Sequence, residues 1–263
     1  EWLLSGECVH ALWPTYPGRP STVVDGVDAM RRAVRELVRA GADVIKVATT
    51  GGVISPRSDP QRAQLADQEL AVMMAEARAA HVPVMAHAQG AQGVKNAVRA
   101  GVRSIEHGVY LDEEAVDMMV QTGTWLVPTL SAPHAILRLA DTSGGLAAAI
   151  RDKAAAAVEA HERSVRLAYA AGVRIAMGTD AGISRHGDNL RELELMHRLG
   201  ISAVDALRAA STSAAALLGA DSDIGELAPG KRADVVILDG TEIAVDQLPE
   251  RVRMVIHRGI PVR

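Results

Sequence analysis

Short apolar runs alternate along this chain with longer stretches of helical periodicity. Buried strands are predicted where the apolar runs occur, at residues 2–6, 42–48, 82–86, 102–106, 124–129 and 173–179. Three of the intervening segments end in Ala-Gly just before the next strand, at Gly41, Gly101 and Gly172. Strands that alternate with helices form parallel sheets with right-handed connections. The pattern therefore predicts an α/β fold of the (β/α)-barrel type, with about six of the eight units.

The helical periodicity places the connecting helices. They are predicted at about residues 26–40, 67–80, 91–100, 112–123, 145–171, 188–199 and 202–218. Asp67 is predicted to be the N-cap of the second helix. From about residue 223 the chain becomes turn-rich, with two short strands at 233–238 and 253–257 that need partner strands. We therefore divide the chain into a barrel, residues 1–222, and strands of a small β-sandwich, residues 223–263.

Composition narrows the classes of function. The net charge of −4, the absence of Phe and the presence of only three Trp and three Tyr argue against binding to nucleic acid. No apolar run approaches the roughly 20 residues of a membrane span. The single cysteine, Cys8, excludes an internal disulfide and fits a reducing, cytoplasmic location. Because the chain opens at Glu1 inside a strand-like segment, we expect its natural N-terminus to lie upstream.

Polar side chains at the ends of four apolar strands are the main candidates for chemistry. Lys46 follows an apolar run in a chain that holds only four lysines among its 28 basic residues, and a lone ammonium there is costly unless it is paired or altered. His87, His107 and Asp180 end three later strands. Because the carboxyl ends of parallel barrel strands meet at one face, the four residues predict a metal site at the barrel mouth.

Each of these residues also has a simpler reading on its own. A strand-end histidine is often structural, Asp180 in Gly-Thr-Asp-Ala-Gly could cap a turn, and Lys46 could pair with Glu106. Glu106 is expected to point away from His107, since side chains alternate along a strand. The joint arrangement favours the metal site. In it, Lys46 carboxylated by CO2 would be an anionic group able to bridge two cations.

The motifs as a set resemble the amidohydrolase superfamily, in particular its prolidase-like and imidazolonepropionase-like branch. The resemblance rests on segments that cover nearly the whole chain in order: Ala-Asp-Val-Ile-Lys-Val at 42–47, Thr-Gly-Gly-Val at 50–53, Ala-His-Ala at 86–88, Ser-Ile-Glu-His-Gly at 104–108, Val-Pro-Thr at 127–129, Gly-Thr-Asp at 178–180 and Gly-Glu-Leu-Ala-Pro-Gly-Lys-Arg-Ala-Asp at 225–234. It implies a metal-dependent (β/α)8 barrel with a small β-sandwich.

The resemblance also assigns roles to the strand-end residues. It implies that Lys46 is the carboxylated lysine bridging two divalent cations, with zinc the expected metal. It further implies that His87 and His107 hold the more exposed cation and that Asp180 is a ligand and proton acceptor. The chain departs from the family in lacking the His-x-His pair that ends the first barrel strand, since neither His10 nor His134 lies in such a motif. We therefore expect the chain to be the C-terminal two-thirds of the enzyme.

Other side chains are candidates for contact with substrate. His10 ends the first visible strand, and Tyr110 lies three residues past His107, where its hydroxyl could bind a scissile carbonyl or oxyanion. Arg57, Arg185 and His186 could bind a substrate carboxylate. The alternatives are an ordinary loop histidine, an amphipathic rim tyrosine and solvated surface arginines. The remaining histidines are interpreted as structural: His81, His161, His197 and His257.

The predicted function is metal-dependent hydrolysis of an amide-type bond in a small molecule. A dipeptide with C-terminal proline or an N-acyl amino acid is the preferred substrate, with a cyclic amide, a lactone or a phosphotriester as alternatives on the same site. A deaminase is disfavoured, because deaminases of the superfamily generally use one metal without a carboxylated lysine. The non-enzymatic alternative is a truncated barrel without turnover that self-associates through open strand edges.

Overall fold

The first five strands form one parallel sheet in chain order. The computed structural model describes residues 3–5, 23–53, 58–143 and 148–262. The strands of this sheet are β1 Leu3–Ser5, β2 Ile45–Ala48, β3 Val84–Gly90, β4 Ser104–Tyr110 and β5 Trp125–Val127. The helices that connect them are α1 Val27–Arg39, α2 Asp67–Ala79, α3 Ala91–Ala100 and α4 Glu113–Thr122. The predicted α/β fold with a parallel sheet is confirmed.

The sixth predicted strand, residues 173–179, is shorter than expected. It joins the edge of β5 through a parallel bridge between Leu126 and Ile175. Leu126 donates its N–H to the Arg174 carbonyl at 2.8 Å and accepts from Ala176 N at 3.0 Å. The next N–H, that of Met177, goes to the carbonyl of Ala209 at 2.9 Å instead. The ladder therefore stops because a helix end takes over the backbone hydrogen bonding.

The second half of the chain contains more helices than predicted. Helix α5, Ser131–Ser143, was not predicted, and it precedes the alanine-rich α6, Ala148–Ala170. Helix α7, Arg191–Arg198, follows. The long helix predicted at 202–218 is wrong, because it divides into α8, Ala203–Ala209, and α9, Thr212–Leu218. At the break Ser211 donates its hydroxyl back to the Leu207 carbonyl at 2.7 Å, a bond that competes with helix continuation.

The start of α2 also differs from the prediction. Asp67 is the first helical residue, and Ala66 is the N-cap. The side chain of Glu69 supplies the acceptors, since it bonds the N–H groups of Ala66 and Gly26 at 2.7 Å each. One carboxylate therefore satisfies orphan donors at the beginnings of both α1 and α2. In α4 the predicted start near Asp112 is confirmed, with the Asp112 carboxylate accepting from Ala115 N at 2.8 Å.

The C-terminal residues form a separate three-stranded antiparallel sheet. It consists of β6 Val235–Leu238, β7 Val252–His257 and β8 Ile260–Pro261. The third strand, β8, was not predicted, and it gives β7 a partner on its second edge. A 3-10 turn at Val245–Gln247 and the short α10, Leu248–Arg251, connect β6 to β7. Several apolar side chains of this sheet are exposed, among them Val236, Ile237 and Ile260.

The main core lies between the parallel sheet and its helices. It is filled by methionine, leucine and isoleucine in place of phenylalanine, with full burial of Met30, Ile45, Met73, Ile105, Met119, Leu126, Leu193 and Met196. Val245 and Leu248 join the same core and fasten the connection between β6 and β7 to it. In the described part of the chain, every helix is too short or too polar to cross a bilayer.

Helix α3 approaches the end of β2 so closely that a side chain at Gly93 has no room. A Cβ there would meet the side chain of Thr50 and lie 2.7 Å from the Thr49 carbonyl oxygen. Thr49 Oγ1 also donates to the Gly93 carbonyl at 3.1 Å. The contact therefore ties the helix to the loop that follows β2.

We expect Gly93→Ala to lower the free energy of unfolding by about 1–2 kcal/mol, because overpacking outweighs the gain in helix propensity. Urea denaturation monitored by circular dichroism measures the change. Gln92→Ala, at an exposed position of the same helix, is the control and should stay within about 0.5 kcal/mol of wild type. A Gly93→Ala variant as stable as wild type contradicts the close contact.

Candidate metal centre

The strand register brings Lys46 and His87 to one face of the sheet. Lys46 pairs with Met85, and Ala48 pairs with His87. Side chains two residues apart on a strand share a face, and paired residues on parallel neighbours do so too. Lys46 is therefore one step deeper than His87 on the same surface, as the strand-end pattern in the sequence predicts.

His107 reaches that surface through an unusual backbone conformation. It pairs with Ala88, the neighbour of His87, so regular alternation would turn its ring to the opposite face. Its φ of 76° lies in the left-handed region, which costs a non-glycine residue roughly 1–2 kcal/mol. The imidazoles of His87 and His107 meet edge to face, with ring centroids 4.6 Å apart and an angle of 69° between the rings.

The expectation that Glu106 points away from His107 is wrong, because both side chains lie on the same face of the sheet. Glu106 pairs with His87 across β3 and β4, which places it on the face that carries Lys46. Its carboxylate accepts the Ser104 hydroxyl at 2.6 Å, and the residue is buried. The left-handed turn at His107 breaks the alternation, so two consecutive residues share the inner surface.

The hydrogen bond of His87 determines which ring nitrogen is available to a metal. Nε2 of His87 lies 3.1 Å from the carbonyl oxygen of Gly51. A carbonyl can only accept, so Nε2 carries the proton and Nδ1 of the neutral ring keeps its lone pair. A Cβ on Gly51 would collide with Ser58 and the Asp59 backbone, which explains the glycine in the loop that follows β2.

The opposite tautomer is fixed at His107. Its Nδ1 lies 2.6 Å from Thr129 Oγ1, and the Thr129 hydroxyl donates to the Pro128 carbonyl at 2.6 Å. With that hydrogen committed, the threonine oxygen accepts the Nδ1–H of His107, and Nε2 keeps the lone pair. The two rings therefore offer Nδ1 and Nε2, respectively, as ligand atoms.

Both rings are held neutral. The pKa of His87 is lowered to about 4, mainly by burial; the hydrogen bond to Gly51 opposes this shift, and the nearby Lys46 charge adds to it. Burial also lowers the pKa of His107 well below its usual value, with smaller contributions from His87, Lys46 and His161. The strand register places Lys46 beside His87, whose ring contacts that of His107, so the three side chains form one cluster.

Helix α6 lies against the end of β4. His161, which the sequence suggests is merely structural, is 1% exposed, and its Nε2 donates to the His107 carbonyl at 2.8 Å. Burial lowers the pKa of His161 to about 4, so the ring is neutral. One helical turn later, Ser164 bonds the backbone of Val109 and Leu111.

Tyr110 is the last residue of β4, three positions past His107. It is half-buried beside a small apolar cluster that includes Val109 and Ile136. Burial raises the pKa of its hydroxyl, and the charge of Asp59 adds to the effect. The hydroxyl is therefore protonated at neutral pH and can donate a hydrogen bond. Asp59, on the loop after β2, is a neighbour of the site that the sequence reasoning missed.

Asp180 lies after the segment that pairs with β5, with an exposed side chain. Its backbone is also left-handed, with φ of 50°. The preceding carbonyl, that of Thr179, accepts the Ser131 hydroxyl at 3.1 Å. Within the described residues, no group of three His, Cys, Asp or Glu side chains forms a metal cluster. The structure therefore unites Lys46, His87 and His107, while the role of Asp180 stays a prediction.

A buried carboxylate that was not predicted from the sequence, that of Glu192, binds the backbone just after β5. Glu192 is 0% exposed and accepts the N–H groups of Leu130 and Ser131 at 2.7 and 2.8 Å. These donors begin α5, so the carboxylate lies at a helix N-terminus. Burial nevertheless raises its pKa to about 7, against the effect of these hydrogen bonds. Through Ser131, Glu192 links the segment after Thr129 to that before Asp180.

Two other predicted substrate-binding residues, Arg185 and His186, lie on the loop after Asp180. Arg185 lines a cavity of about 590 Å³ between the loop after Asp180, α5 and α7, and neither His87 nor His107 lines it. His186 is exposed on the same loop. His10 and Arg57 lie outside the described residues. The carboxylate-binding roles of Arg57, Arg185 and His186 and the substrate contact of His10 stay predictions.

The two histidines and Lys46 form a donor set that fits a divalent cation. Two neutral imidazoles present one bare nitrogen each, which is the form in which histidine ligates metal. Hydrogen bonds to the other ring nitrogens fix the tautomers, as is usual for metal-bound histidines. A protonated Lys46 is no ligand, but a carboxylated one would supply the anionic oxygens that the cluster needs.

Comparison with known proteins identifies the family. The amidohydrolase family model matches residues 3–260, and the chain belongs to that family. The resemblance to the amidohydrolase superfamily is thereby confirmed. The chain is 36% identical over 252 residues to an ochratoxinase of Aspergillus niger, an alignment that covers 94% of this chain and 52% of the relative. It therefore spans about half the length of the curated relatives it matches.

Solved structures agree with the fold. The chain superposes on a Xaa-Pro dipeptidase with methionine bound in its active site, with a TM-score of 0.90 and 33% identity over 99% of this chain and 66% of that one. It is similar to a prolidase complexed with N-methylphosphonate-L-proline, with a TM-score of 0.85 and 34% identity over 92% of this chain and 60% of that one. The solved structures it resembles are amidohydrolase enzymes of the TIM-barrel fold.

The two histidines should show opposite neutral tautomers at neutral pH. We expect Nδ1–H for His107 and Nε2–H for His87, because their partners at these atoms are acceptors. Nitrogen-15 NMR of the histidine rings in metal-free protein distinguishes the forms. Thr129→Val removes the acceptor and should mix the tautomers of His107 while leaving those of His87 unchanged. The same tautomer at both rings in wild type contradicts the assignment.

Glu192 should make stability fall as pH rises. Its folded-state pKa of about 7 lies above the ordinary 4.5, so its contribution is complete below pH 4.5 and is lost on the way to pH 7. Relative to Glu192→Gln, wild type should lose roughly 3 kcal/mol of unfolding free energy across this range. Urea denaturation at several pH values measures it. Glu194→Gln, a partly exposed neighbour, is the control, and a pH-independent difference for Glu192→Gln contradicts the raised pKa.

Proposed function

We propose that this chain carries the catalytic metal-binding strands of a hydrolase that cleaves an amide-type bond. The observation that carries the proposal is the cluster of Lys46, His87 and His107 on one sheet surface, with both imidazoles neutral and oriented. Family membership agrees with hydrolysis of a carbon–nitrogen bond. A divalent cation, with zinc the expected metal, would be held by His87 Nδ1, His107 Nε2 and carboxylated Lys46, and would supply Lewis acidity and a water of lowered pKa.

The side chains of the chain have distinct tasks in this proposal. Asp180 takes the proton of the attacking water on its carboxylate and passes it to the leaving amine nitrogen. The hydroxyl of Tyr110, kept protonated, donates a hydrogen bond to the scissile carbonyl as negative charge develops on the oxygen. Burial of His107 keeps bulk water away from its ring and strengthens these charge interactions.

A dipeptide with C-terminal proline is the substrate we favour. The similarity to a Xaa-Pro dipeptidase and to a prolidase complexed with a proline phosphonate supports it. The assay panel also includes N-acyl amino acids, which the family resemblance suggests, and a lactone, a cyclic amide and a phosphotriester as the alternatives on the same site. Arg185, His186, Arg57 and His10 are the residues proposed to bind the substrate around the site.

Lys46→Ala tests the metal-binding cluster. In the protein that carries this chain, we expect the substitution to remove most bound zinc and at least about 100-fold of alanylproline hydrolysis, because the anionic bridging group is lost. Plasma emission analysis and a proline-release assay measure the two effects. Lys95→Ala, which removes a surface lysine paired with Asp112 and Glu114, is the matched control and should change neither. Unchanged zinc content in Lys46→Ala refutes the role of Lys46.

A further inference from the structure

Helix α6 carries two buried polar side chains on an otherwise apolar stripe. His161 is 1% exposed and Ser164 is 3% exposed. The rest of the buried stripe is made of small apolar residues, namely Ala154, Ala157, Ala160, Val165 and Ala168. A helix that needed only to pack on the sheet could bury alanine or valine at all these positions, since burying a polar group is costly unless it is hydrogen-bonded.

Both polar side chains bond one short piece of backbone at the end of β4. His161 Nε2 donates to the His107 carbonyl at 2.8 Å. Ser164 Oγ donates to the Val109 carbonyl at 2.8 Å and accepts the Leu111 N–H at 2.9 Å. Alternate backbone groups from 107 to 111 are therefore held by one face of the helix, and this segment contains both His107 and Tyr110.

This segment requires support because its backbone is left-handed at two consecutive residues. The φ angles are 76° at His107 and 60° at Gly108. The glycine adopts such a conformation without strain, but the histidine does so only where its surroundings hold it. If His107 relaxed to an extended conformation, strand alternation would turn its ring away from His87, as its pairing with Ala88 requires.

We propose that His161 and Ser164 are positioning residues that hold the turn at residues 107–111 and thereby keep the His107 ring facing His87. The inference rests on the proposed function in one respect, namely that His107 binds a metal. Neither side chain touches the cation. Each acts by hydrogen-bonding the backbone on the side of α6. His161 bonds His107 itself, and Ser164 bonds Val109 and Leu111.

Zinc affinity of His161 variants is the main test. His161→Leu fills a similar volume but has no donor, and we expect about 10-fold weaker zinc binding in competition with a chromophoric chelator. His161→Gln keeps an N–H near the position of Nε2 and should bind zinc close to wild type. His197→Leu is the matched control, because His197 lies in a different helix, α7, and also bonds a backbone carbonyl, that of Ile201. It should leave zinc affinity unchanged.

Ser164→Ala provides an independent comparison. It removes the bonds to Val109 and Leu111 but leaves His161 in place, so the loss of zinc affinity should be smaller than in His161→Leu. The amide of Leu111 should exchange its hydrogen faster than in wild type. The proposal makes the bond from His161 the more important one, because it holds the ligand residue His107 itself. A larger loss of zinc affinity in Ser164→Ala than in His161→Leu overturns this.

Two further outcomes separate this inference from the proposed function. If His161→Leu stays folded by circular dichroism and binds zinc as wild type does, the positioning role is wrong while the metal site stands. If wild type itself binds no zinc, the proposed function fails, and NMR of the His107 ring in metal-free protein then decides. Ring signals of His107 that shift in His161→Leu and recover in His161→Gln support the positioning role, and unchanged signals overturn it.

Discussion

The left-handed backbone at His107 is the constraint on which the site depends. A regular β4 could offer only every second side chain to the inner surface, and Glu106 already occupies that face beside His87. Reversing φ at the next residue brings a second histidine to the same surface without a longer strand. Thr129 and Asp180 are also left-handed, at 54° and 50°, so strained residues mark the ends of three neighbouring strands. Such strain is typically concentrated at functional sites.

The strands and the cluster could be predicted from the sequence, because buried parallel strands appear in it as short apolar runs. Apolar runs end in a polar residue, and Lys46, His87 and His107 could be placed together from that pattern and from the family resemblance. Helices ended by glycine were equally clear. The short pairing of residues 173–179 and the break near Ser211 could not be predicted, because each depends on a hydrogen bond to a partner not apparent from local periodicity.

The buried helical residues that bond the backbone near the site were harder to predict than the ligands themselves. His161 and Glu192 lie in helices, where a lone polar residue usually faces solvent, yet both are buried and bond backbone groups of other elements. One signal was present: the spacing of three between His161 and Ser164 places both on the stripe that also carries Ala157 and Ala168. Polar residues on the buried stripe of an alanine-rich helix therefore indicate partners across the interface.

Each histidine is oriented by a group from a neighbouring strand and not from its own. His87 on β3 is held by the Gly51 carbonyl, which follows β2, and His107 on β4 is held by Thr129, which follows β5. The loops that follow β2 and β5 thus have two parts that differ in how much substitution they tolerate. The first two or three residues after a strand hold the histidine of the neighbouring strand, whereas the segments beyond them can change in length and sequence. Diversification of substrate within such a fold can therefore proceed by exchange of outer loop segments, without rebuilding the ligand geometry.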